Sequence, residues 1–149
     1  MTGPKLTVVC HFRNEEAYLR YWLRHHVRLF DRGVLIDYAS TDRSRAVVAE
    51  LAPHWEVRPS RNARFHSATI DTEVMDVEEE FAGWKMCLNV TEFVMHHDLR
   101  TFVEEFERAH PDRLGVVTTG NRIRTFALFL RKATDYDPAR SEAWFPDQS

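Results

Sequence analysis

The sequence predicts an α/β fold in which a mostly parallel sheet is flanked by helices. Apolar runs rich in β-branched residues alternate with segments of helical period, and this alternation is typical of strands joined by helical crossovers. No repeat or low-complexity run divides the 149 residues, so one domain is expected. We expect its core over about 5–119 and an irregular tail over 135–149.

The first half of the chain gives the clearest pattern. We predict a first strand at Leu6 to Phe12 and a helix capped by Asn14. Gly33 is expected to end the connection to a second buried strand at Val34 to Tyr38. The helix carries an apolar stripe at three- and four-residue steps. Its members are Leu19, Trp22, Leu23, His26, Leu29 and Phe30.

The second half repeats the alternation. A second helix should start at residues 40–42 and stop before Pro53, and a third helix should end at Gly83. We expect Asp98 to cap a fourth helix. The short run 126–130 fits either a strand or a helix. The other predicted strands are Trp55 to Arg58, Trp84 to Asn89 and Leu114 to Thr118.

Polar residues follow three of the predicted strands. They occupy positions 11–16, 37–42 and 89–93. In an open parallel sheet, ligands bind at the carboxyl ends of the strands. We therefore expect the three segments to gather at one edge and to form a ligand site.

These segments carry a family resemblance. The runs "HFRNEEAYL", "VLIDYASTDRS" and "GWKMCLNVTEFV" resemble, in order and spacing, the nucleotide-sugar-binding half of family-2 glycosyltransferases. That half has a Rossmann-like GT-A fold. The resemblance covers Leu6 to Val94 and continues more weakly to Thr119. It implies a nucleotide-sugar donor and a Mg²⁺ or Mn²⁺ ion that neutralises the leaving diphosphate.

The resemblance also assigns residues to the donor. Phe12 and Arg13 would border the nucleotide base, and Asp37 would accept hydrogen bonds from the base or ribose. The turn 89–92 would lie at the diphosphate, with Glu92 as a metal ligand. The residues expected to contact the donor are Phe12, Arg13, Asp37, Tyr38, Asp71, Asn89, Thr91 and Glu92.

The sequence departs from the family pattern at this turn. Asn89 and Thr91 stand where relatives have two aspartates, which leaves Glu92 as the turn's only carboxylate. Metal affinity should therefore be weaker. Tyr38 replaces the second aspartate of the other motif, where it could stack on a base but could not copy a carboxylate. No segment after Gly120 resembles an acceptor half, so a fragment, a shortened homologue or a domain completed by a second copy or partner chain all remain open.

The favoured function is transfer of a sugar from a nucleoside-diphosphate donor to a glycan, lipid-linked or other hydroxyl acceptor. The alternative is a nucleotide-sugar-binding or regulatory domain without turnover, which the lost aspartates favour. A nucleotidyltransferase would normally show a phosphate loop rich in Gly and Arg after the first strand, and that loop is missing here. The sequence does not identify a catalytic base.

Composition and net charge limit the ligands and the cellular compartment to be expected. A net charge of −3 argues against nucleic-acid binding, and no apolar run is long enough to cross a membrane. Two distant cysteines favour a reducing cytoplasm. We expect both Cys10 and Cys87 to be small buried hydrophobes rather than a redox pair.

Several conspicuous residues have both a structural and a functional interpretation. We expect His26 to be packed, His25 to be solvated, and the pair at 96–97 to be structural more readily than metal-ligating. Arg61 and Arg64 fit a diphosphate or a solvated loop equally well. The acidic run 76–80 reads as a solvated helix end. Trp22, Trp55 and Trp84 are expected in the core, and Trp144 could dock at a surface.

Overall fold

The computed structural model describes residues 5–96, 98–113, 115–119 and 127–133, the last two ranges by backbone alone. Strands and helices alternate along its first four-fifths. The strands are β1 (Leu6–Phe12), β2 (Arg32–Asp37), β3 (Glu56–Pro59), β4 (Gly83–Asn89), β5 (Gly115–Thr119) and β6 (Ala127–Ala133). The helices are α1 (Glu16–His26), α2 (Ser44–Leu51), α3 (Ser67–Glu79) and α4 (Leu99–Ala109).

The six strands form one sheet in the order β3-β2-β1-β4-β6-β5. The first four of these are parallel, and β6 runs antiparallel to both β4 and β5. The predicted α/β fold with a mostly parallel sheet is confirmed. Of the run 126–130, left open between strand and helix, residues 127–130 belong to β6. Phe12 pairs with Asp37 and His11 pairs with Asn89, so the three polar segments leave the sheet at one edge.

Hydrophobic side chains fill both faces of the sheet. The larger cluster takes residues from α1, α2 and α4, and the smaller one takes residues from α3. The three tryptophans predicted for the core, Trp22, Trp55 and Trp84, are all buried in the larger cluster. Because the two faces are covered by different helices, the carboxyl edge of the sheet between them stays accessible to a ligand.

Two predictions about glycines were wrong. Gly33 lies inside β2 and does not precede it. A Cβ at this position would lie 2.1 Å from the Trp55 ring. Glycine is needed for this close approach, not for a turn. The third helix already ends at Glu79, and Gly83, with a φ of 93°, instead opens β4 beside the Lys5 carbonyl.

The helix starts also differ in part from expectation. Asn14 does not cap α1, which begins at Glu16 without a side-chain cap from Glu15. The second helix starts at Ser44, later than predicted. The Asp98 cap is confirmed, since its Oδ1 accepts a hydrogen bond from the Thr101 N–H at 3.0 Å.

Polar groups inside the fold account for further corrections. Glu78, predicted to be solvated, is 5% exposed, and its Oε1 lies 3.2 Å from the buried Lys85 Nζ. Cys10 is buried as predicted, whereas Cys87 is exposed, and neither is in a disulfide. None of the described helices is long and apolar enough to span a bilayer. Trp144 and the predicted tail lie outside the described residues.

Candidate functional site

A cavity of about 330 Å³ opens at the carboxyl edge of the sheet. Its walls come from the ends of β1, β2 and β4 and from the chain entering α3. Three polar segments that are far apart in the sequence therefore meet at one place. The lining residues are His11, Phe12, Arg13, Glu15, Tyr38, Phe65, Ile70, Asn89, Val90 and Thr91.

Five of the eight residues predicted to contact a donor line this cavity. They are Phe12, Arg13, Tyr38, Asn89 and Thr91. The other three, Asp37, Asp71 and Glu92, lie outside the lining, and their contact with a donor stays a prediction. Asp71 is exposed on α3.

Sequence reasoning missed two lining residues that come from the third helix and its approach. Ile70 sits in the first turn of α3, and Phe65 comes two residues before that helix. The apolar periodicity at Ile70 indicated a helix but not which end of it would reach over the sheet, and Phe65 was expected in a loop. His11 and Glu15 belong to the first polar segment, but no role had been predicted for either.

The β2 side of the cavity has an aromatic wall. Tyr38 is 3% exposed, and its ring meets Phe65 edge-on with centroids 6.1 Å apart. Among the described residues, the Tyr38 hydroxyl has no hydrogen-bond partner. A buried polar group without a partner costs stability, so it is a candidate to pair with a ligand.

Asp37 lies under this wall with both carboxylate oxygens engaged. It is 2% exposed; Oδ1 accepts from the Ser40 N–H at 3.0 Å, and Oδ2 accepts from Arg45 Nη1 at 3.1 Å. The ion pair with Arg45 balances the buried charge, as a buried carboxylate requires. Asp37 therefore organises the loop after β2.

The same loop is joined to the one after β1. Asn14 has a φ of 51°, and its Oδ1 accepts from the backbone N–H groups of Thr41 at 2.7 Å and Asp42 at 3.3 Å. In return, Asp42 Oδ2 accepts from the Glu16 N–H at 3.1 Å, and Ser44 Oγ accepts from the Glu15 N–H at 2.9 Å. These two side chains cap the start of α1 from outside it. The Ser-Thr-Asp run thus joins two walls of the cavity.

The loop after β4 is held by side chains from α1. Trp22 Nε1 donates to the Glu92 carbonyl at 2.9 Å, and His25 Nε2 lies 2.7 Å from the Val94 carbonyl. His25 therefore packs against this loop, contrary to its predicted solvation. His26 Nε2 accepts from the Val94 N–H at 3.1 Å.

This last contact requires a neutral imidazole. His26 Nδ1 donates to the Trp22 carbonyl at 2.9 Å, so the other ring nitrogen is free to accept. His26 is fully buried, as predicted, and burial lowers its pKa to about 4. The ring therefore acts as a structural link between α1 and the loop near neutral pH.

The turn at 89–92 has few groups suited to a divalent cation. Glu92 Oε2 accepts from the Asn89 N–H at 2.7 Å, so the turn's carboxylate is used within the turn. The other two positions offer a neutral amide and a hydroxyl. Within the described ranges, no three His, Cys, Asp or Glu side chains cluster to hold a metal. The donor set fits Mg²⁺ or Mn²⁺ poorly, in line with the weaker affinity expected from the sequence.

Among the described residues, the arginines considered as diphosphate partners and the histidines considered as metal ligands lie elsewhere or are paired within the protein. Arg61 pairs with Asp76 on α3, and Arg64 is exposed outside the cavity lining. His96 Nδ1 accepts from the Asp98 N–H at 3.1 Å, while His97 lies outside the described residues. Arg61, Arg64 and His96 do not line the cavity.

Solved structures match this chain. S. aureus TarS does so with a TM-score of 0.59 and 15% identity, over 82% of this chain and 23% of that one. M. tuberculosis glucosyl-3-phosphoglycerate synthase, solved with UDP, matches with a TM-score of 0.51 and 17% identity, over 82% of this chain and 46% of that one. A 4-diphosphocytidyl-2C-methyl-D-erythritol synthase matches with a TM-score of 0.57 and 10% identity, over 89% of this chain and 76% of that one.

At such low identity these matches show the fold alone. No family model matches the sequence, and no curated protein matches it at a significant level. This chain spans about a quarter of TarS and about half of the glucosyl-3-phosphoglycerate synthase. What the matches show is a GT-A-like α/β fold, with the cavity at the edge where such sheets bind ligands.

Proposed function

We propose that this chain binds a nucleoside-diphosphate sugar in the cavity and takes part in transfer of the sugar to a hydroxyl acceptor. The observation that carries the proposal is the cavity itself. It lies at the carboxyl edge of a GT-A-like sheet, and all three segments that resemble family-2 glycosyltransferases contribute to its walls. The likeness in fold to a glucosyl-3-phosphoglycerate synthase solved with UDP supports the same ligand class.

The lining changes character across the sheet. Tyr38, Phe65 and Ile70 make an aromatic and apolar wall near β2, and Asn89 and Thr91 make a polar wall near β4. Neighbouring strands lie about 4.8 Å apart, so the ends of β2 and β4 are roughly 10 Å apart across β1. A nucleoside diphosphate has a flat base at one end and a charged diphosphate at the other, which matches an apolar wall followed by a polar one. We assign the base to the first wall and the diphosphate to the second.

A domain that binds the donor without turning it over is the second candidate. The specific observation in its favour is the turn after β4, where the only carboxylate is bonded to the turn's own backbone. Transfer requires a base that deprotonates the acceptor as the anomeric bond breaks. Glu15 is the one carboxylate that the described part of the chain brings to the lining, and we assign it no role in that step.

The remaining parts of the proposal concern the surroundings of the cavity. The acceptor is a glycan, a lipid-linked sugar or another hydroxyl compound, and a second copy or partner chain would supply acceptor contacts. The chain spans less than half of the length of the glycosyltransferases it matches. A reducing cytoplasm suits Cys10 and Cys87, since neither is in a disulfide.

The test is calorimetric titration of the chain with UDP- and GDP-sugars, with donor turnover followed in the same samples. Binding together with sugar release or transfer supports the enzyme, and binding alone supports the second candidate. Tyr38→Ala should weaken binding, because it removes the wall assigned to the base. Tyr21→Ala is the matched control, since Tyr21 is 68% exposed on α1. If no nucleotide or nucleotide sugar binds under any condition, both candidates fail.

A further inference from the structure

The charge of the cavity differs from that of a metal-dependent diphosphate site. A divalent cation supplies two positive charges and prefers anionic oxygen ligands. In the turn after β4, Asn89 and Thr91 contribute none, and Glu92 lies outside the lining with Oε2 bonded to the Asn89 N–H at 2.7 Å. Of the described residues, Glu15 alone brings a carboxylate to the lining, and it can offset only half of such an ion's charge.

A second observation concerns the cation that the cavity does have. Arg13 follows β1 and, among the residues that the structure describes, is the only lysine or arginine in the lining. It is exposed. Other arginines near the sheet edge are committed elsewhere: Arg45 pairs with Asp37 and Arg61 with Asp76. In the described part of the chain, no ion pair or hydrogen bond occupies the Arg13 side chain.

An unpaired guanidinium suits an anionic ligand well. Its planar fork matches two phosphate oxygens, and such charge-assisted hydrogen bonds are stronger than neutral ones. Arg13 follows the last residue of β1, the strand between β2 and β4. A diphosphate lying toward β4 would therefore lie beside it.

We propose that this site holds the diphosphate of its nucleotide without a divalent cation, and that Arg13 supplies the positive charge that a metal would otherwise bring. This inference rests on the proposed function. It goes further by assigning the counter-charge and by making binding independent of metal.

The first experiment compares UDP and GDP binding to the wild-type chain in EDTA and in MnCl₂, by calorimetry. We expect the affinity for the nucleotide that binds to agree within about twofold in the two conditions. Binding that needs Mn²⁺ would overturn the inference while leaving the proposed function intact. An absence of binding in both conditions would overturn the proposed function, and this inference with it.

The second experiment tests the assignment to Arg13. We expect Arg13→Gln to weaken diphosphate binding about tenfold or more, as for loss of a charge-assisted hydrogen bond, and to weaken nucleoside binding much less. Arg108→Gln, on α4 and outside the lining, is the matched control and should change neither affinity. An equal loss for nucleoside and diphosphate, or no loss for either, would overturn the assignment.

The third experiment tests whether the diphosphate binds without a metal because the turn after β4 has Asn89 and Thr91 in place of two aspartates. The double variant Asn89→Asp, Thr91→Asp changes two exposed side chains, so we expect it to fold. It should bind the diphosphate more weakly than wild type in EDTA, because of added negative charge, and at least fivefold more tightly in MnCl₂ than in EDTA. Equal affinities in EDTA and MnCl₂ for this variant would contradict the proposed reason for metal independence.

Discussion

The loops after β2 and β4 resemble two motifs of the same family, yet each is held in a different way. The loop at 37–44 keeps two of its motif carboxylates, Asp37 and Asp42, with Tyr38 in place of a third, and Asp37 uses both oxygens to organise the loop itself. The loop at 89–94 has lost two carboxylates and is held by Trp22, His25 and His26 from α1. Both loops are fixed in place, one by its own residues and the other by a neighbouring helix.

The difference shows that a motif residue can be retained for a structural reason. Asp37 matches the family pattern in sequence, but its charge is balanced by Arg45. Tyr38, which departs from the pattern, lies in the cavity wall with an unpartnered hydroxyl. The comparison therefore makes separate predictions for the stability of each loop and for ligand binding.

The largest effect should be a pH dependence from the histidine under the β4 loop. The pKa of His26 is about 4 in the folded chain and near 6.5 when unfolded. The unfolded chain therefore takes up more protons between these values, so stability rises with pH there. We expect full stability above about pH 6.5 and a loss of about 3 kcal/mol as the pH falls toward 4.

Denaturant titrations of wild type and His26→Gln across this range would measure the effect. The variant should lose this part of the pH dependence, whatever its stability at pH 7. His110→Gln is a control, because His110 is exposed after α4. Parallel pH profiles for wild type and His26→Gln would contradict the buried, neutral role of His26.

The next largest effects on stability should come from removing one carboxylate from each of the two loops. Asp37→Ala removes two charge-assisted hydrogen bonds from a buried site, and we expect a loss of about 2–3 kcal/mol. Glu92→Ala removes one bond to a partly exposed side chain and should cost about 1 kcal/mol. Urea unfolding midpoints at a constant m-value would measure both.

The exposed Asp71 is the control for these substitutions. Asp71→Ala should change stability by less than about 0.5 kcal/mol. If Glu92→Ala cost as much as Asp37→Ala, the loops would not differ in the way their contacts indicate.

The sequence predicted most of the fold because its signals were local. Apolar periodicity and β-branched runs placed the helices and parallel strands, and strand order then brought the polar segments together. The contacts that were missed depend on partners distant in the chain. Gly33 packs under Trp55, and His25 reaches Val94 across 69 positions. Local pattern carries no information about such pairs, so it also could not predict that Asn14 bonds to the loop after β2 instead of capping α1.

A smaller effect would isolate one contact between α1 and the β4 loop. Trp22→Phe removes the hydrogen bond to the Glu92 carbonyl, whereas Trp84→Phe removes an Nε1 that has no partner among the described residues. Both side chains are buried at 1% exposure or less. We expect Trp22→Phe to cost about 1 kcal/mol more than Trp84→Phe and to speed amide exchange in residues 90–94. Equal losses would show that the indole bond contributes nothing to holding the loop.

The smallest effect on stability should come from Tyr38→Phe, which removes only the unpartnered hydroxyl. Because no hydrogen bond among the described residues is lost, thermal or urea unfolding should show stability unchanged or raised by up to about 1 kcal/mol. Nucleotide affinity should fall about threefold to tenfold if the hydroxyl pairs with the base, while affinity for inorganic pyrophosphate stays constant. Phe65→Leu is a useful companion, since it alters the same wall without touching a polar group. A clear loss of stability in Tyr38→Phe would mean that the hydroxyl already has a partner in the free chain, and the base would then have to be recognised by another lining residue.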